Sequence, residues 1–340
     1  MKFGPVALSQ AEGAILAHSV KLSDGRMRKG QLLGADHVAR LKAEGLTTVI
    51  AAQLDPGDVA EDAAARRVAG MLVPDPAAAG LRLTEAFTGR VNLMADGPGV
   101  VVLDTDRLNA LNRIDPMITL ATVPQHQQME PGGMVGTVKI ISYAVAGRHL
   151  DDAAALLDGP PAVRLAPPVL KTAALIVTEI PGGAGEKGVA AIRDRLTALG
   201  MEMRGPHVVP HRTAACAEAI AAAKGDLILV LTGSATSDPH DVAPQALREA
   251  GGTVERFGMP VDPGNLLFLG HLGARPVIGL PGCARSPALN GADWVLSRVA
   301  CGIDVGADDI AGMGVGGLLK EIPTRPQPRA ARRRAAARAG

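Results

Sequence analysis

Aromatic side chains are nearly absent: the chain holds one Trp, one Tyr and four Phe, 2% of 340 residues. Its core must be built from Ala, Val, Leu and Ile. The stacking platforms that seat single-stranded nucleic acid are missing as well. Cysteine is scarce. Cys216, Cys283 and Cys301 form no C-x-x-C and are odd in number, which argues against a disulfide framework or a structural zinc site and favours a reducing compartment. Charge of one sign is lacking too, with 35 Lys and Arg against 34 Asp and Glu, so no net field draws the molecule to DNA or to an anionic membrane. There is no charge-free apolar run of about 20 residues. The opening "MKFGPVALSQAEGAILAHSV" lacks the long apolar stretch of a signal peptide. These absences predict a cytoplasmic protein with no nucleic-acid and no membrane partner.

What is present is an apolar fraction of 47%, enough for two or three globular domains at this length. Residues 1–150 read as a mixed α+β region. A helix is expected over about 34–44, ended by Gly45, and then a strand in "TTVIAAQL". "DVAEDAAARRVAGML" reads as a helix with Asp58 as its N-cap, and 131–147 as one long strand. Residues 151–171 carry Pro160, Pro161, Pro167 and Pro168 and read as a linker following a short helix. Over 172–303, apolar strand-like runs alternate with helical ones. The helix around 186–200 places Val189, Ile192, Leu196 and Leu199 on one face. This alternation predicts an α/β domain with a doubly wound, mostly parallel sheet flanked by helices. Trp294 and Val295 read as core. Residues 304–340 read as an extension ending in a disordered Arg-rich tail, "PTRPQPRAARRRAAARAG".

In such a sheet, ligands bind beyond the C-terminal ends of the strands. Three of these ends carry glycine or small hydroxyl residues: "TEIPGGAGEKG", "LTGSATSDPHD" and "GLPGCARSP". Glycine lets backbone approach a ligand, and the following helix offers unpaired N–H groups. Together they describe a site for a phosphorylated, anionic small molecule. The first loop is not a P-loop, because Lys187 is followed by Gly188. Asp238 and Asp241 lie three apart and are candidates for holding Mg²⁺ beside phosphate; Asp241 is equally an N-cap candidate. His207 and His211 are four apart, but Pro206 and Pro210 exclude the helix that would pair them on a metal. His240 reads as a solvent-exposed loop residue and Cys283 as a small loop residue.

"DLILVLTGSATSDPHD", followed by "GLPGCARSP", resembles the molybdopterin-binding domain of molybdopterin adenylyltransferases and molybdopterin molybdenumtransferases. That domain carries a T-G-G-x-S-x-G-x-x-D type loop and a later G-L-P-G-N-P type loop. Thr232 and Gly233 match the start of the first loop; Ser234 stands at its second glycine, Thr236 at its serine and Asp241 at its closing aspartate. Gly279, Leu280, Pro281 and Gly282 match the second, where Cys283 and Ala284 replace Asn-Pro. Pro263 and Gly264 match a further M-x-P-G-x-P type segment.

The resemblance implies binding of molybdopterin or its nucleotide-activated form, and promotion of molybdate insertion as a molybdenumtransferase. It places Thr232, Gly233, Ser234, Thr236, Ser237, Gly279, Pro281, Gly282, Arg285 and Ser286 at the cofactor. Asp238 and Asp241 become catalytic residues and ligands of Mg²⁺. The alternative is a non-catalytic carrier acting with a cofactor cytidylyltransferase or a molybdoenzyme; a third reading is a nucleotide-ester hydrolase on the same fold. A homo-oligomer is also implied by resemblance.

Overall fold

The computed structural model describes residues 1–319. The expectation for the Arg-rich tail, 323–340, lies outside the described residues. The chain forms two compact units, one from Met1 to Pro167 and one from Pro168 onward.

The first unit has two separate cores. In the smaller, Thr48–Gln53 pairs antiparallel with Lys2–Ala7 and Ile15–Leu16. The helix Ala35–Ala43 lies over it through Val38 and Leu41. In the larger core, a four-stranded antiparallel sheet runs Ile118–Thr122, Met134–Ile140, Arg90–Ala95, Leu81–Leu83. Alternate side chains of Arg90–Ala95 face the core, Val91, Leu93 and Ala95 being buried. The helices Glu61–Leu72, Thr105–Ile114 and Gly147–Leu157 complete it.

Three expectations fail here. Asp58 is no N-cap: Asp58–Ala60 is extended and pairs with Ala144–Ala146, so the helix starts at Glu61 behind Ala60, whose side chain makes no cap. The long strand over 131–147 is two strands. Met134–Ile140 stays in the four-stranded sheet, while Ala144–Ala146 leaves it for Asp58–Ala60. The segment 151–171 is not a free linker through its length. After the expected short helix, Gly147–Leu157, it contains the strand Val163–Ala166, which pairs with Gly99–Leu103.

The second unit is α/β. Its strands are β1 (Thr172–Glu179), β2 (Glu202–Pro210), β3 (Leu227–Leu231), β4 (Thr253–Phe257), β5 (Phe268–Leu272) and β6 (Arg275–Leu280). They form one sheet in the order β2-β1-β3-β6-β5-β4. β2, β1, β3 and β6 run parallel, and β5 and β4 extend the sheet antiparallel. The helices are α1 (Val189–Ala198), α2 (Thr213–Ala222), α3 (Val242–Glu249) and α4 (Gly291–Ala300), with a short α5 (Ala307–Ala311).

Every residue of β3 is buried, as are Ala173–Thr178 of β1; sheets covered on both faces read as continuous apolar runs for this reason. α2 and α3 cover one face, packing Cys216, Ile220, Ala246 and Leu247 on Ile176, Val230 and Phe268. Val189, Ile192, Leu196 and Leu199 of the first helical stretch are buried as predicted, and Gly200 ends it at φ 67°. α4 starts at Gly291, with five residues between it and a 3₁₀ turn at Gly282–Arg285. Val295 is fully buried and Trp294 half-buried. No helix among the described residues is long and apolar enough to cross a membrane.

Candidate functional site

The chain leaves β1 for β2 on one side and returns to β3 on the other. The winding therefore reverses between β1 and β3, and their C-terminal ends border the crevice in which open α/β sheets bind ligands. Thr178, fully buried near the end of β1, joins the two ends. Its Oγ1 accepts the Gly233 N–H at 3.0 Å and lies 2.8 Å from Nδ1 of His211, just past β2. The His211 N–H donates to the Glu179 carbonyl at 2.9 Å. Gly233 runs so close to β1 that a Cβ on it would stand 2.7 Å from the Thr178 carbonyl oxygen; only glycine fits. Beyond it, the buried Thr232 hydroxyl donates to the Ser234 carbonyl at 2.6 Å and stands 3.2 Å from the Thr236 hydroxyl. The 232–236 loop is thus folded on its own hydroxyls, with Ser234 exposed at its tip.

The second glycine loop is fixed by two arginines. Arg285 Nη1 donates to the carbonyls of Gly185 (3.0 Å) and Lys187, and Nη2 to that of Thr232 (3.1 Å). Gly188 has φ 90° and lies against Arg285, where a Cβ would stand 2.5 Å from the Arg285 Cα. Arg285 therefore ties together the loops after β1, β3 and β6. Its partners are neutral carbonyls, and among the described residues no carboxylate pairs with it. Burial holds its guanidinium below the usual value, the mark of a charge removed from water without an acid beside it. From α1, Arg195 donates to the carbonyls of Ala284 (2.9 Å), Ser286 (2.8 Å) and Ala288 (3.0 Å) and pairs with Asp293 of α4.

Several residues expected at the cofactor make contacts within the protein. Gly279 lies inside β6, opposite Phe268 of β5, where a Cβ would fall about 2 Å from the ring; it makes room for an aromatic side chain in the core. Arg285 is engaged with backbone, so it supplies charge to the crevice with its N–H groups already directed at carbonyls. Pro281 is buried and Gly282 exposed at the head of the 3₁₀ turn, and Ser286 is exposed, its hydroxyl accepting the Ala288 N–H at 3.2 Å. Burial pushes the Cys283 thiol up, which keeps it neutral and unreactive.

The two aspartates differ in their partners. Asp241 is the N-cap of α3: Oδ1 accepts the Val242 N–H at 2.7 Å and Oδ2 the Ser237 N–H at 2.9 Å. Both oxygens face donors. Asp238 is exposed. One of its oxygens accepts the His240 N–H at 2.8 Å, and the other has no partner among the described residues. No group of three His, Cys, Asp or Glu suited to a metal ion occurs among the described residues. Of the two, Asp238 is the carboxylate with an oxygen left open among the described residues.

Sequence reading missed Thr178, Arg195 and Asp293. Thr178 had one signal, a hydroxyl at the end of an otherwise apolar buried strand. Arg195 and Asp293 are 98 residues apart, and nothing local joins them.

The family described as "Probable molybdopterin binding domain" matches residues 178–298, and a domain of unknown function matches residues 5–53. No curated protein matches the chain. Among solved structures, the molybdopterin biosynthesis moea protein of Pyrococcus horikosii aligns over 89% of this chain and 76% of its own, at 15% identity and a TM-score of 0.32. The matched span contains β1 from Thr178, β3, both glycine loops and the reversal between them, so residues 178–298 belong to the molybdopterin-binding domain family of molybdenum cofactor biosynthesis.

Proposed function

We propose that the second unit binds molybdopterin, bare or nucleotide-activated, at the crevice between β1 and β3, and promotes molybdate insertion there. The observation that carries this reading is Arg285. A half-buried cation, held by three carbonyls and no acid, leaves positive potential where three loops meet. A phosphate is the ligand group that such a place favours. The exposed backbone of Ser234 and Ala235 and the head of the Gly282–Arg285 turn would supply N–H donors. Asp238 would hold Mg²⁺ against the phosphate, and molybdate is the substrate. Catalysis on this reading is positioning and electrostatics. It would act in the cytoplasm, as a homo-oligomer, beside a cytidylyltransferase or a client molybdoenzyme.

The engagement of both Asp241 oxygens favours a second reading, in which the protein carries molybdopterin without catalysing insertion. One experiment separates the two. Molybdate insertion is followed with purified protein, adenylylated molybdopterin and Mg²⁺, with activation of an apo-molybdoenzyme as readout. Asp238→Ala is expected to bind pterin normally and to slow insertion by about 100-fold. Equal insertion by wild type and variant removes Asp238 from the chemistry; pterin binding with no acceleration by either protein establishes the carrier. A protein that binds no pterin overturns both readings.

A further inference from the structure

The Thr178 hydroxyl decides how His211 is used. It is fully buried, and its oxygen already accepts the Gly233 N–H. Its single proton needs an acceptor, and the polar atom in reach is His211 Nδ1, at 2.8 Å. If Nδ1 carried the imidazole proton, the Thr178 O–H would have nowhere to donate, which is costly for a buried group. The arrangement therefore fixes Nδ1 as acceptor and puts the proton on Nε2. Among the described residues no hydrogen bond or ion pair is made by Nε2, and the ring is half-buried. The main chain of His211 is held in turn by Glu179. A donor of fixed tautomer and restricted position thus stands beside the ends of β1 and β3, where Arg285 leaves positive charge.

We propose that His211 contacts the ligand, its Nε2–H donating to an oxyanion of the bound pterin complex, either the pterin phosphate or the molybdate. Thr178 acts through it as a positioning residue. The inference rests on the binding reading above and adds a specificity-determining residue to it.

Two amide variants separate contact from scaffolding. In His211→Asn the amide oxygen lies near the Nδ1 position and still accepts from Thr178, but the distal donor is gone. His211→Gln restores a donor near Nε2 while weakening the link to Thr178. Dissociation constants are measured on the full chain, first for molybdopterin alone and then for molybdate added to the pterin-loaded protein. The contact predicts that His211→Asn raises one of the two by about ten-fold or more, with His211→Gln within a few-fold of wild type. The arm that changes identifies which oxyanion is bound.

The reverse pattern, Asn like wild type and Gln weaker, makes His211 only a structural acceptor and overturns the proposal, as does no change in either arm. If wild type binds no molybdopterin, the functional reading falls and the proposal with it. ¹⁵N NMR of the ligand-free protein tests the tautomer separately: a proton on Nδ1 of His211 would overturn the contact while leaving pterin binding intact.

Discussion

Gly279→Ala is expected to destabilise the second unit by about 3 kcal/mol, at the upper end of the cost of overpacking a core. Gly279 lies mid-sheet in β6, paired directly with Phe268, and the added Cβ would fall 1.9–2.0 Å from two ring carbons. The ring cannot swing away cheaply. Phe268 is 1% exposed and packs on Val230, Leu247 and Val277, and the interior has no slack for an aromatic rotamer change. Urea unfolding of single and double variants measures the effect. Phe268→Leu alone costs a cavity, but in its background alanine at 279 should cost far less, giving a coupling energy of about 1–3 kcal/mol. A change below about 0.5 kcal/mol for Gly279→Ala would mean that the ring relaxes freely, and that the glycine has another purpose. The same result bears on the sequence motif: three of its four residues, Leu280, Pro281 and Gly282, lead into the loop, while Gly279 serves the core.

This division shows what was legible beforehand. β1, β3, α1 and α3 each declare themselves locally, through an unbroken apolar run or a helical stripe ended by glycine, so the winding of the second unit could be read from order alone. The first unit could not. The alternation in 131–147 shows extended chain but not which strand it pairs with, and Ala144–Ala146 changes partner after Ile140. The Ser142 hydroxyl, donating to the Ala144 carbonyl at 2.6 Å, helps turn the chain there. Asp58 has an N-cap's residue type and was drawn into a strand by Ala144–Ala146, a tertiary override of local preference. At the site, the glycine loops were visible because backbone geometry restricts the residue. Asp241 was legible as an N-cap candidate, and is one; the roles of Arg285 and Thr178 were not visible, since each depends on which groups stand opposite in space. A carboxylate that caps a helix and one that holds a metal look alike in a sequence.

Arg195→Ala should be the most damaging change near the crevice, costing about 3–5 kcal/mol, the range for removing one partner of a buried ion pair. The Arg195 and Asp293 side chains are 13% and 14% exposed. Truncation leaves Asp293 without its cation and leaves the carbonyls of Ala284, Ser286 and Ala288 without the donors that now fix them. Asp293 also accepts the Asn290 N–H at 2.8 Å, closing the capping box that starts α4, so the disturbance reaches from the glycine loop into the helix. Lysine cannot replace the fork, because a point charge satisfies one or two of these acceptors where the guanidinium satisfies them together. Arg195→Lys is therefore expected between wild type and alanine.

Urea unfolding gives the stability, and amide exchange over 282–293 gives its location. Protection should fall there first, while β1 and β3 keep theirs. Pterin affinity should fall with it, because a loop that must be ordered on binding charges its conformational entropy to the ligand. If Arg195→Lys matches wild type in both measurements, one cation near Asp293 is enough and the carbonyl contacts are incidental. If alanine loses stability but keeps affinity, the loop is ordered by Arg285 alone. The two arginines would then divide their labour, Arg195 joining α1 to α4 and Arg285 joining the three loops that face the ligand.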